Sequence, residues 1–85
     1  MEVYFYIMNR LCTLNSLCEN QRCRINKLLC DGMMRSRLSD LGLICGTEVV
    51  CLRKSLSGGI AAFLIRGTVI ALRDSDSSKI IVTVK

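Results

Sequence analysis

The alternation of polar and apolar residues along the chain predicts a fold built mostly of short strands. In residues 22–26, arginines alternate with apolar side chains, so Cys23 and Ile25 face one side of an extended segment. Four later segments are rich in β-branched and aliphatic residues and are separated by turn residues, which is typical of strands in a small sheet. The predicted strands span residues 22–26, 48–53, 60–66, 69–73 and 80–84.

One segment has a helical period in place of the alternation. Its apolar positions, spaced by four and three residues, are Met34, Leu38 and Leu41. Side chains at this spacing line one face of a helix, which predicts a short α-helix over residues 33–41. Asp31 is placed to cap its first turn, and Gly42 followed by apolar Leu43 predicts a left-handed cap at its end.

Glycines and short polar residues separate these elements. Gly46 is predicted to turn the chain into the second strand, Gly58-Gly59 to break it again, and Gly67-Thr68 to reverse it tightly before the fourth strand. Residues 74–78 predict a turn or a single helical turn, because Asp and Ser side chains bond to nearby backbone groups. Closely spaced strands with one short helix favour an all-β fold, a small barrel of five to six strands, over a helical bundle.

The composition is that of a single folded domain. The chain has 85 residues, of which 51% are hydrophobic and 22% charged, which suits a packed core and not a disordered tail. Its longest apolar runs, residues 3–8 and 60–65, are far shorter than the roughly 20 residues of a membrane-spanning helix. The first residues lack the basic leader and cleavage site of a secretory signal. We therefore expect a cytoplasmic protein that does not insert into a membrane.

The six cysteines leave three interpretations open. They are Cys12, Cys18, Cys23, Cys30, Cys45 and Cys51. In a cytoplasmic protein with an aliphatic core, reduced thiols that serve as small apolar side chains are favoured over disulfides. The third interpretation is a metal or redox site, but the chain contains no Cys-x-x-Cys pair and no histidine. We assign no cofactor with certainty, and a transition metal ion such as Fe²⁺ stays an alternative.

The charge is positive and partly clustered. Twelve Lys or Arg residues against seven Asp or Glu give a formal net charge of +5. The clustered basic residues are Arg22, Arg24, Lys27, Arg35 and Arg37. They suit a solvated face, an acidic protein partner or nucleic acid, and nucleic acid is not expected because no aromatic residues interleave with them to stack on bases. Since the chain has no histidine, nucleophilic-serine motif or nucleotide-binding loop, we expect no enzyme activity.

Several stretches of the chain, in order, resemble the ferrous iron transport protein A (FeoA) family. The first is Arg-Leu-Ser-Asp-Leu-Gly-Leu at residues 37–43, followed by Gly-Thr-Glu-Val at residues 46–49. It is similar to the family's short basic helix, which ends in Leu-Gly-Leu before a turn into a strand. The second is Ile-Arg-Gly at residues 65–67 with Ile-Ala-Leu-Arg at residues 70–73, which resembles the family's later hairpin.

The resemblance covers residues 9–85 and leaves residues 1–8 as an N-terminal extension; residues 14–25 are similar to the family's opening strand and turn. It implies an SH3-like barrel and a role in bacterial ferrous iron uptake, where the family associates with the cytoplasmic part of the FeoB transporter. The same domain occurs at the carboxyl end of iron- and manganese-sensing repressors. The resemblance therefore implies an adaptor or regulator that docks on FeoB, with no catalytic residues to assign.

The third predicted strand is apolar on both faces. Its core-facing set is Ala61, Phe63 and Ile65, and its opposite set is Ile60, Ala62 and Leu64. Val50 of the neighbouring strand stands where the family commonly has a glutamate. Because a sheet with one wetted face alternates, we expect a cover over this face, either residues 3–7 or, as we favour, another protein chain, which includes self-association. The candidate partner-binding residues are Arg35, Arg37, Val50, Ala62 and Leu64.

Two other functions stay open at this point. Cys12, Cys18 or Cys30 on the outer surface would hold iron in a metal-sensing accessory protein. A stand-alone relative of the repressor domain would act near DNA, and its binding to a duplex would depend steeply on salt.

Overall fold

The computed structural model describes residues 11–85, in which six strands form one antiparallel sheet. The strands are β1 (Leu11–Thr13), β2 (Arg22–Leu28), β3 (Glu48–Lys54), β4 (Ile60–Ile65), β5 (Thr68–Arg73) and β6 (Ile80–Val84). The remaining elements are a 3₁₀ turn (Leu14–Ser16), the helix α1 (Gly32–Asp40) and the one-turn helix α2 (Asp74–Ser77). The predicted all-β fold with a short α-helix is confirmed. The predicted extension, residues 1–8, lies outside the described residues.

The sheet has the strand order β1-β6-β2-β3-β4-β5 and surrounds one hydrophobic core. Alternate residues of the central strands point into this core, and Phe63 is its largest fully buried side chain. Cys23 and Ile25 are also buried, as the alternation in β2 predicts. Successive side chains on a strand point to opposite faces of the sheet. The residues of β3, β4 and β5 that do not point into the core therefore point outward.

Helix α1 ends at a glycine in a left-handed conformation. Gly42 has φ +99°, its N–H donates to the Ser39 carbonyl at 2.9 Å, and the Leu43 N–H donates to the Leu38 carbonyl at 2.9 Å. This pair of bonds is the Schellman motif, so the predicted cap at the end of the helix is confirmed. At the other end, Asp31 occupies the cap position, but its side chain makes no capping hydrogen bond. The prediction that Asp31 caps the helix with its side chain is therefore wrong.

The hairpin between β4 and β5 reverses one residue earlier than predicted. Arg66 and Gly67 are its two central residues, with φ +53° and +79°, and Ile65 pairs with Thr68 across the turn. Positive φ at both central residues defines a type I′ turn, whose twist matches that of the flanking strands. Thr68 is consequently the first residue of β5 and not part of the turn.

The apolar stripe of α1 only partly reaches the core. Leu38 is buried and Met34 packs against the core, whereas Leu41 is 44% exposed. The predicted helical spacing is correct, but the sheet covers only part of the apolar stripe. An apolar strip of helix is left facing β5.

Candidate docking surface

The outward-facing side chains of β3, β4 and β5 form one apolar surface. In the sheet register Leu64 lies between Val50 of β3 and Val69 of β5, and Ala62 lies beside Ala71 of β5. Side chains of paired residues stand on the same face, so these residues are neighbours. We call this surface the outer apolar face; its residues are Val50, Ile60, Ala62, Leu64, Val69 and Ala71.

Among residues 11–85, the side chains of the outer apolar face are partly exposed to solvent. Val69 is 61% exposed and Ile60 45% exposed, while Leu64 is half-buried. Two arginines border the face, because Arg53 pairs with Ala62 across the β3–β4 ladder and Arg73 pairs with Ile60 across β4–β5. An apolar centre with a charged rim is the anatomy of many protein interfaces.

A second surface lies where α1 faces β5. It is a groove of about 570 Å³, which we call the helix groove, and its lining residues are Met34, Arg37, Leu38, Leu41, Ile60, Ala71, Leu72, Arg73 and Asp76. The exposed strip of the α1 stripe supplies its apolar wall on the helix side. Three consecutive residues of β5 supply the opposite wall.

The structure places four of the five predicted site residues on these two surfaces. Val50, Ala62 and Leu64 all belong to the outer apolar face. Arg37 lines the helix groove, whereas Arg35, also exposed on α1, does not. The two surfaces share Ile60 and Ala71, so they are continuous.

The sequence reasoning missed the contribution of β5 to both surfaces. Val69, Ala71 and Arg73 alternate with the core-facing Ile70 and Leu72, which is a readable strand signal. That signal shows which residues face outward, but only the register places them beside Leu64, Ala62 and Ile60. The register of this hairpin is set by its two-residue turn, which lies one residue earlier than the sequence predicts.

Comparison with known proteins agrees with this architecture. The FeoA domain matches residues 12–84. This chain belongs to the FeoA family. The solved structure of a FeoA-like protein from Clostridium acetobutylicum has a TM-score of 0.80 and 26% identity, covering 87% of this chain and 86% of that one. The FeoA protein from Chlorobium tepidum has a TM-score of 0.79 and 25% identity, covering 85% of this chain and 69% of that one.

The FeoA fold also occurs within larger proteins. A manganese-dependent transcriptional repressor has a TM-score of 0.82 at 13% identity, and the match covers 91% of this chain and 43% of the repressor. At this identity the likeness shows a shared SH3-like fold alone. None of the curated proteins matches this sequence. Membership of the FeoA family implies a role in ferrous iron transport systems. Within residues 11–85, neither helix has the length and hydropathy needed to cross a bilayer.

The cysteines of this FeoA domain are spread between core and surface. All six are free thiols: Cys23 and Cys51 are buried, Cys12 and Cys30 are half-buried, and Cys18 and Cys45 are exposed. The disulfide alternative therefore has no counterpart in the described residues. Residues 11–85 also bring together no group of three or more Cys, Asp or Glu side chains arranged to hold a metal ion.

The buried thiol of Cys23 makes the domain less stable as the pH becomes alkaline. Burial raises the pKa of this thiol from its ordinary value of 9.0 to about 12, and the neighbouring Cys12 and Cys51 thiols add to the shift. The folded chain thus holds the Cys23 proton more tightly than the unfolded chain does. The resulting stability is fully present below about pH 9 and is lost as the pH rises toward 12.

We therefore expect the free energy of unfolding of Cys23→Ala to fall less steeply than that of the parent chain as the pH rises above 9. Denaturant titrations at a series of alkaline pH values measure this slope. Val49→Ala, which truncates a fully buried side chain that does not titrate, should retain the parent slope. Equal slopes for Cys23→Ala and the parent would show that the Cys23 thiol does not titrate abnormally.

Proposed function

We propose that this chain is a small cytoplasmic adaptor or regulator of ferrous iron uptake that acts by docking on the cytoplasmic part of a FeoB-type transporter, without catalysing a reaction. The observation that supports docking is the outer apolar face, which leaves aliphatic side chains outward on three adjacent strands. Membership of the FeoA family supports the iron transport system as its setting.

The physical case for docking starts from the core. The inward-facing residues of β4 are already buried: Ala61, Phe63 and Ile65. The apolar side chains on the opposite face therefore do not serve the packing of this core. Removing apolar surface from water contributes about 25 cal/mol per Å² to the formation of a complex, before the costs of association are subtracted. A partner with a matching apolar patch would gain most of its affinity here, with Leu64 at the centre of the contact.

The charged rim favours a partner with acidic groups around its apolar patch. Arg53 and Arg73 border the outer apolar face, and Arg35 and Arg37 lie on α1. Rim charges mainly raise the association rate and select the partner, and their effect decreases with salt. A docked domain regulates its partner only if it binds one conformation of the partner more tightly than another.

Leu64→Lys should strongly weaken docking while the domain stays folded. The substitution places an ammonium group in the middle of the outer apolar face, between Val50 and Val69, where a partner would have to desolvate it. We expect capture of the cytoplasmic domain of a FeoB from the same organism to weaken by about 30-fold or more, equivalent to about 2 kcal/mol. The measurement is a titration by biolayer interferometry, with circular dichroism to confirm the fold.

Leu29→Lys is the matched control, because Leu29 is 56% exposed and lies outside the outer apolar face. It makes the same chemical change and should bind FeoB as the parent does. The solution mass of both variants also tests self-association, which predicts a lower mass for Leu64→Lys. If Leu64→Lys binds FeoB normally and keeps its mass, the outer apolar face is not the docking site.

The iron-sensing alternative is a hypothesis that concerns Cys12, Cys18 and Cys30, of which Cys18 is exposed. A variant without cysteines that still binds FeoB would separate docking from any metal chemistry. Loss of Fe²⁺ binding in that variant, together with loss of FeoB binding, would favour the sensor over the adaptor.

A further inference from the structure

β5 has backbone hydrogen-bonding groups that point away from the sheet. The Asp74 N–H donates to the Gly59 carbonyl at 3.0 Å, which makes these residues a hydrogen-bonded pair at the end of β4 and β5. Bonded and non-bonded pairs alternate along an antiparallel ladder. In the unbroken register of this hairpin, the N–H and C=O groups of Val69, Ala71 and Arg73 therefore point toward the free edge of β5.

This edge has few of the features that protect natural edge strands. Among residues 11–85, β5 pairs only with β4, and the pairing runs through six consecutive residues without a bulge. The strand contains no proline and no lysine, and its one charge is Arg73 at the end. The Arg73 carbonyl accepts a bond from the Ser77 hydroxyl at 3.1 Å, which leaves three N–H and two C=O groups at the edge. A regular edge of this kind is a template for another strand.

The helix groove lies beside this edge and gives an added strand something to contact. Its apolar wall includes Leu38 and Leu41, and its charged residues are Arg37, Arg73 and Asp76, a net charge of +1. The salt bridge found within residues 11–85 joins Lys85 and Glu48, so neither groove arginine is neutralised by an ion pair there. Side chains of a strand alternate between two faces, so an amphipathic strand can place apolar side chains against the apolar wall and charged side chains toward the arginines.

We propose that the helix groove binds an extended acidic peptide segment of a partner protein, which adds to β5 as a seventh strand. Its apolar side chains pack against Leu38, Leu41 and Leu72, and its carboxylates face Arg37 and Arg73. Main-chain bonds to Val69, Ala71 and Arg73 fix its register. This proposal rests on the proposed function only in that both treat the chain as a binding module. It names a different contact, the helix groove, and a specific ligand, an acidic peptide strand.

The probe is a labelled hexapeptide, Glu-Val-Glu-Val-Glu-Val, acetylated and amidated at its ends, added to the full-length chain. Fluorescence anisotropy should show saturable binding, and the reversed-charge peptide with Lys for Glu should bind at least about tenfold more weakly. Amide hydrogen exchange should slow at Val69, Ala71 and Arg73 when the hexapeptide binds. Saturation without added protection at these three amides would overturn strand addition.

Ala71→Pro tests the main-chain bonds from the protein side. It removes an N–H that makes no bond to β4, and proline is tolerated on an edge strand when its N–H position faces outward. We expect hexapeptide binding to fall by about tenfold or more, equivalent to about 1.4 kcal/mol. Ala71→Val, which keeps the N–H at the same site, is the control. If Ala71→Pro does not fold, a hexapeptide with N-methylated valines tests the same bonds, and unchanged binding would contradict the proposal.

Charge variants test the helix groove, and Arg37→Glu is the variant that leaves the outer apolar face unchanged, because Arg73 borders both surfaces. Arg37→Glu and Arg73→Glu should each weaken hexapeptide binding by about tenfold, whereas Lys27→Glu, an exposed residue outside the groove, should not. If none of these variants differs from the parent, the groove is not an acidic-peptide site. If the parent chain captures FeoB but does not bind the hexapeptide, this inference alone is overturned. Hexapeptide binding with no effect of Leu64→Lys on FeoB overturns the outer apolar face alone.

Discussion

Phe63→Ala should leave this domain close to unfolding at room temperature. Phe63 is the largest fully buried side chain among residues 11–85, and removing a buried Phe side chain costs about 3–5 kcal/mol because of the lost transfer energy and the cavity left behind. Small domains typically have only about 5–15 kcal/mol in total, so this is a large share. Urea denaturation followed by circular dichroism measures the loss.

The adjacent Leu64→Ala is the control for Phe63→Ala. Leu64 follows Phe63 in β4 but points to the outer apolar face, so its truncation in the free protein should cost about 1 kcal/mol. The comparison measures how strongly the two faces of one strand differ. Equal losses for the two variants would mean that the outer face is packed in the free protein, and the docking proposal would lose its support.

Gly42→Ala should be the most destabilising of the glycine substitutions. Gly42 has φ +99°, a region that costs a residue with a side chain about 1–2 kcal/mol. A Cβ would also lie 3.3 Å from Cγ2 of the buried Ile65 and 3.2 Å from Cδ of Arg66. Ile65 cannot move without disturbing the core, so we expect a total loss of about 2–3 kcal/mol. The unfolding temperature should fall by about 10 °C or more.

Gly46→Ala separates the two causes of this loss. Gly46 has φ +89°, close to that of Gly42, but a Cβ there would meet no atom within 4 Å. It should therefore show the backbone cost alone, about 1 kcal/mol. Calorimetry of both variants gives the difference directly. If Gly46→Ala is as damaging as Gly42→Ala, the contact of the helix end with Ile65 does not contribute.

Together, the two proposals describe a module with two adjoining contacts. The outer apolar face presents aliphatic side chains, and the helix groove offers backbone groups and two arginines. They share Ile60 and Ala71, so a partner with an apolar patch followed by an extended acidic segment would occupy both at once. Linking two weak contacts in this way raises affinity through effective concentration.

Local patterns in the sequence determined much of the fold. Alternation placed Cys23, Ile25 and Phe63 inside the core, because neighbouring side chains on a strand must point to opposite faces. Gly42 followed by Leu43 was enough to predict the end of α1, since a left-handed residue there favours glycine. These features depend on a few consecutive residues and on the sterics of the backbone.

Two local features were not predicted correctly: the cap at the start of α1 and the turn between β4 and β5. Asp31 stands at the start of α1 without making the bond that its residue type favours. The turn between β4 and β5 is centred on Arg66-Gly67, with a positive φ at an arginine that no local preference predicts. In both places the local conformation is set by how the adjoining helix or strands pack in the fold, and not by the preference of the single residue.

The sequence by itself determined five of the six strands, the short helix, the family resemblance and the apolar character of both faces of β4, whereas β1 was not predicted. Only the tertiary structure decided that Val50 of β3 lies beside Leu64 of β4, and that α1 and β5, about thirty residues apart in the chain, enclose one groove. The reason is physical: alternation fixes the face of each side chain within its own strand, whereas its neighbours are fixed by hydrogen-bonded register and packing between distant segments.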